Sequence, residues 1–157
     1  MGAINYLTGD ATSPKTNGNK IIVHICNDIG AWGKGFVLAI SRKWNRPKNE
    51  YQSWCKSSDN FNLGEVQFVK VENDIWIANL IGQHKINKDE FGNPPIRYDA
   101  VLSGLNKIAN FAMKINATVH MPRIGCGLAG GTWNKIEPLL NQSLIFNDIE
   151  TYVYDFG

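Results

Sequence analysis

Cysteine is scarce in this chain of 157 residues: Cys26, Cys55 and Cys126 are widely spaced, and no CxxC pair occurs. Such an odd, scattered set argues against a disulfide framework or a zinc site and suits a reducing compartment. His84 and His120 show no metal-ligand spacing with each other or with acids, so no metal or other cofactor is expected. No apolar run approaches the ~20 residues that span a bilayer, and the N-terminus lacks a basic-then-apolar signal pattern. Sixteen Lys and Arg against fourteen Asp and Glu leave a formal charge of +2, with no basic arm or tail for nucleic acid. The expectation is a soluble cytoplasmic protein that holds any anionic ligand by local geometry rather than bulk charge. Two nucleotide signatures are also missing. Without GxxxxGK(S/T), a P-loop nucleoside triphosphatase is excluded, and without GxGxxG after the first strand a Rossmann dinucleotide fold is disfavoured.

What remains is ordinary globular material, 43% hydrophobic and 19% charged, of a length that suggests one domain over residues 1–157. Area scaling for this mass buries ~69% of the unfolded surface, enough for a core without metals or disulfides. Residues 4–7 read as a short strand stopped by Gly9 and Asp10, and the β-branched run Ile21–Ile25 as a strand buried on both faces. A helix is expected over 35–45, ended by Pro47, and a hairpin over 65–71 and 75–81. The long polar connection over 82–95 suggests a functional loop. Tyr98, Val101, Leu102, Leu105, Ile108, Ala109 and Ala112 keep helical spacing. A strand at 117–122, a helix at 134–145 with Pro138 in its first turn or bending it, and a strand at 149–154 complete the chain. Strands separated by helices imply an α/β fold with a mixed, mostly parallel sheet covered on both faces. Each informative loop follows a strand, which places one site at the strand carboxyl ends.

Two glycine-rich segments, 30–35 and 125–131, open toward helices. Their backbone N–H groups could cradle a diphosphate without a lysine clamp, although glycines of this kind also simply make tight turns. Asn27 could donate to and accept from a sugar hydroxyl pair, or shape the turn. His24 reads as a satisfied core histidine or as a general base. Cys126, between two glycines, has no adjacent base to make it a nucleophile. Trp32 either walls off a sugar ring or anchors its loop to the core.

Taken together, Gly9–Thr12, the run HICNDIGAWGKGF over 24–36, MPRIGCGLAGG over 121–131, Trp133 and YVYDF over 152–156 resemble a macrodomain. The resemblance is to the branch holding the human terminal ADP-ribose protein glycohydrolase and the yeast ADP-ribose-1″-phosphate phosphatase, whose bacterial members share a stretch like NLIGQ over 79–83. It covers essentially the full chain and implies a three-layer α/β/α fold binding ADP-ribose or an ADP-ribosylated protein. Asp10, between Gly9 and Ala11, would accept from the adenine amino group, with Tyr154 and Phe156 nearby. Asn27 would contact the distal ribose, beside Trp32 and the loop of Gly33, Lys34, Gly35 and Phe36. The diphosphate would lie on Arg123, Ile124, Gly125, Cys126, Gly127, Leu128, Ala129 and Gly130. The implied activity is hydrolytic: removal of mono-ADP-ribose from Glu or Asp, or deacylation of O-acetyl-ADP-ribose. A non-catalytic ADP-ribose reader and a phosphatase on ADP-ribose-1″-phosphate are the alternatives. The human relative has a lysine nucleophile where Gln83 stands and an aspartate where Ala129 stands, so its covalent mechanism does not carry over. Asn27, Gln83 and His24 are left as the catalytic candidates.

Overall fold

The computed structural model describes residues 2–156; Met1 and Gly157, the ends of the expected domain, lie outside the described residues. In chain order the elements are β1 (Ile4–Thr8), β2 (Asn19–Asn27), α1 (Phe36–Lys43), α2 (Arg46–Ser57), β3 (Val66–Glu72), β4 (Ile75–Gln83), α3 (Tyr98–Ile115), β5 (Ala117–Met121), α4 (Trp133–Leu140) and β6 (Thr151–Asp155). One six-stranded sheet runs β1-β6-β5-β2-β4-β3. Five strands are parallel, and β3 closes one edge as the antiparallel arm of the expected hairpin. The mixed, mostly parallel α/β sheet is therefore present as expected.

The alternation of β2 divides the core into two halves. Ile21 and Val23 pack with Leu80, Val101, Leu105 and Ile136 under α3 and α4. Ile22 and Cys26 pack with Val37, Ile40 and Tyr51 under α1 and α2. Helices thus cover both faces, giving the three layers. No helix among the described residues is long and apolar enough to cross a membrane.

Two elements depart from expectation. Pro47 does not end the helical region; it lies in the first turn of α2, where its missing N–H has no helical partner to lose. The second helix escapes a periodicity reading because its buried face consists of Pro47 and Tyr51 alone. Pro138 sits in the second turn of α4, where it cannot donate to the carbonyl four residues back, and the chain continues into a π-helical turn over Asn141–Ile145.

Close packing of α3 on the sheet depends on Gly104, where an added Cβ would lie 2.4 Å from Leu80 Cγ. Leu80 is fully buried. Gly104→Val is expected to lower stability by about 2–3 kcal/mol through overpacking, read as a lower urea midpoint at unchanged slope.

Candidate functional site

Parallel pairing brings the carboxyl ends of β1, β6, β5, β2 and β4 to one edge of the sheet. At about 4.8 Å per strand, the loops that leave them span roughly 19 Å from β1 to β4. Along this line lie, in order, the Gly9–Thr12 loop, Tyr154 with Phe156, the Arg123–Gly131 loop, the Asn27–Phe36 loop, and Gln83 with His84.

At the β1 end, Gly9 N–H donates to Asp155 O at 2.9 Å. Asp10 Oδ1 accepts from Thr12 N (2.8 Å) and Thr12 Oγ1 (2.7 Å). Burial resists ionisation of Asp10, but these two bonds, with Lys43 and Arg42 nearby, outweigh it and hold the carboxyl below its ordinary range. Asp10 is therefore an anchored anion whose second oxygen has no partner among the described residues. Tyr154 is buried, its hydroxyl 2.7 Å from His120 Nδ1, whereas Phe156 is 86% exposed. Arg123 is held on one side. It forms two bonds to Asp155 (2.6 and 3.0 Å) and lies over the rings of Tyr6 and Trp133.

The two glycine loops adjoin. A Cβ at Gly35 would lie 3.4 Å from Leu128 Cδ1. The N–H groups of Gly33, Lys34 and Gly35 on one loop, and of Gly127 and Leu128 on the other, have no hydrogen-bond acceptor among the described residues. All five residues are exposed. Gly125 and Gly130 shape the second loop at φ +74° and +78°, and a Cβ would meet Ile96 Cδ1 at 2.4 Å or Pro94 Cβ at 2.6 Å. Side chains are excluded there on both counts. Ala129, buried beneath the loop, accepts from Ile96 N through its carbonyl at 3.1 Å.

Several candidate side chains are occupied within the protein. Asn27 Oδ1 accepts from Ile29 N, Ala31 N and Tyr51 Oη, while its Nδ2 donates to Ala31 O at 2.8 Å. It shapes the loop and keeps one N–H in reserve. Trp32 is only 6% exposed; it donates to Ser41 Oγ and meets the His24 ring edge-on, so it anchors its loop in the core. His24 is 2% exposed, with Nε2 2.5 Å from Asn79 Oδ1. Because the Asn79 amide nitrogen donates to Pro47 O and Gln67 Oε1, its oxygen accepts, and the His24 proton sits on Nε2. Burial lowers the His24 pKa to about 4 against the effect of this bond. Cys126 is held as a thiol, its pKa raised by burial more than Arg123 lowers it.

Asn27 and Gln83 are paired across β2 and β4, beside a β-bulge between Cys26 and Asn27. Gln83 Nε2 donates to Lys85 O at 2.8 Å. Their sequence neighbours, which the sequence reading did not pair, also meet: His84 Nδ1 lies 2.7 Å from Asp28 Oδ2, and Lys85 N donates to Asp28 Oδ1 at 2.7 Å. Only a parallel register between β2 and β4 reveals this pair, and no local motif encodes it.

Comparison with known proteins follows this layout. A macrodomain protein from Streptomyces coelicolor is 47% identical and superposes with a TM-score of 0.88, covering 99% of this chain and 100% of that one. The chain belongs to the macrodomain family. This is the family that the strand-end motifs resemble. No family model matches the chain. Among curated relatives of this macrodomain, a mouse protein named chromodomain-helicase-DNA-binding protein 1-like is 32% identical over 98% of this chain, which spans 18% of that relative's length. An ADP-ribose 1″-phosphate phosphatase from Candida albicans is 29% identical, with 96% of this chain and 98% of that protein covered.

Two further concavities are present. One of about 460 Å³ starts at Thr12–Pro14 beneath Lys43 and Trp44, and one of about 620 Å³ lies behind Ile96–Asp99.

Buried neutral imidazoles set a pH dependence. Burial brings His120, like His24, to about 4, whereas the unfolded residues titrate near 6.5. Between these values the unfolded chain binds more protons than the native one, so stability is full above about pH 6.5 and falls as pH drops toward 4. Each site contributes on the order of 2–3 kcal/mol to that fall. Urea midpoints measured from pH 7 to 4.5 are expected to decline steeply in the wild type and less steeply in His24→Gln.

Proposed function

We propose that this macrodomain binds ADP-ribose along the strand-end cleft and hydrolyses ADP-ribosyl esters. The observation that carries the reading is the pair of adjoining glycine loops. Their unpaired N–H groups, beside the N-terminus of α1, suit a diphosphate in a protein of nearly neutral charge. The order of groups across the sheet then sets the ligand's direction. Asp10 accepts from the adenine amino group, and Tyr154 and Phe156 border the base. The diphosphate rests between Gly33–Phe36 and Ile124–Gly130. The distal ribose reaches Asn27 and Gln83. Arg123, locked to Asp155, contributes by fixing its loop. The relatives named as ADP-ribose 1″-phosphate phosphatases support the substrate class.

Esters fit this site better than N-glycosides. A carboxylate leaves without help from an acid, so orientation of the distal ribose and of water carries much of the barrier reduction. Gln83 cannot ionise near pH 7, which restricts it to positioning. A second reading, phosphatase action on ADP-ribose-1″-phosphate, draws on the names of those same relatives and makes His24 essential. Its burial against Asn79 weighs against that role. His24→Ala with an unchanged rate of phosphate release would remove this reading.

Purified protein is expected to release ADP-ribose from a Glu-ADP-ribosylated protein or to deacylate O-acetyl-ADP-ribose. Binding of free ADP-ribose with turnover of neither would leave a reader alone, and failure to bind ADP-ribose would sink the proposal. By calorimetry, Asp10→Ala is expected to weaken ADP-ribose binding by about 1–3 kcal/mol while leaving ribose 5-phosphate binding unchanged. Equal losses for both ligands would displace the adenine from Asp10.

A further inference from the structure

The Asp28–His84 pair is held more firmly than an ordinary surface ion pair. Asp28 has both oxygens committed, one to Lys85 N–H and one to His84 Nδ1. Its side chain is 16% exposed and that of His84 is 45% exposed. A carboxylate accepts only, so Nδ1–H is the donor to Asp28, and Nε2 is the ring nitrogen left to take a proton. That nitrogen has no partner among the described residues. Position matters as much as protonation. Asp28 follows Asn27 and His84 follows Gln83, and Asn27 and Gln83 face each other across β2 and β4. The pair therefore stands at the end of the cleft opposite Asp10, where the proposed ligand places its distal ribose.

Three other ionisable groups are poor bases for chemistry at that end. His24 is enclosed with its Nε2 on Asn79. Cys126 is kept protonated by burial. Asp10 lies four strands away. We propose that His84, oriented by Asp28, is the general base that activates water for attack at C1″ of the distal ribose. This inference rests on the ester-hydrolysis reading. A bond forms between the water oxygen and C1″ as the bond from C1″ to the acyl oxygen breaks. The electron pair of the broken bond leaves with the carboxylate. One water proton passes to His84 Nε2 and the other stays on the new C1″ hydroxyl; the imidazolium then returns its proton to solvent. A site with one base and no acid matches a substrate whose leaving group needs no protonation.

The test uses the full chain and a Glu-ADP-ribosylated protein. His84→Ala is expected to lower kcat at least about 100-fold, with the Kd for free ADP-ribose within about twofold of wild type. Added imidazole is expected to restore part of the rate, and Asp28→Asn to fall between wild type and His84→Ala with KM unchanged. In ¹⁸O-labelled water the released carboxylate is expected to carry no label. A wild-type kcat in His84→Ala, loss of ADP-ribose binding in step with loss of rate, or label in the carboxylate would overturn the dyad while leaving ester hydrolysis standing. Absence of turnover by the wild type would instead remove the reading on which the dyad rests.

Discussion

Alignment of parallel strands is the constraint from which the cleft follows. β2, β4, β5, β6 and β1 run the same way, so the loops after them emerge side by side. The loops bring complementary groups: a carboxylate after β1, amide hydrogens after β5 and β2, and an imidazole after β4 that meets the Asp28 carboxylate after β2. A different strand order with the same loops would scatter these groups. Burial on both faces of β2 keeps the register in place, because a slip of one residue would turn Ile21 and Val23 into the layer of Ile22 and Cys26.

Several cations are committed within the protein. Lys20 is committed to Asp74 and Gly18 O, Lys43 to Thr12 O and Ser13, and Lys107 to Glu65 and Gly64 O. Arg123, the cation nearest the second glycine loop in sequence, is bound to Asp155. In the first glycine loop, exposed Lys34 stands beside the unpaired backbone N–H groups, and under the proposed function those dipoles are the fixed part of the anion site. They point in fixed directions and need no reorganisation when a ligand arrives, whereas a free lysine side chain would lose rotamer entropy.

Much of this arrangement was legible in residue order. The glycine loops, the strand-end position of the site and the three layers follow from periodicity and from where glycine interrupts it. The α2 helix was hidden because two buried positions, Pro47 and Tyr51, make no period. Trp32 and Asn27 could be read two ways, and packing around Tyr51 shows that both build the loop, with one Asn27 N–H still unused: Tyr51 donates to Asn27 and its ring lies against Trp32. The Asp28–His84 contact joins positions 56 residues apart. No local pattern could have shown it, since cross-strand pairing depends on topology.

The short segment around Ile96 ties the two halves of the cleft together. Its backbone bridges Gln83 on one side and donates to Ala129 on the other. Its side chain occupies the space that a methyl group on Gly125 or Gly131 would need. Ile96 therefore links the second glycine loop, proposed to hold the diphosphate, to the strand that ends beside the imidazole. A change in the seat of this one residue would be felt at both loops, which couples the proposed binding and reacting regions through a single backbone contact on each side.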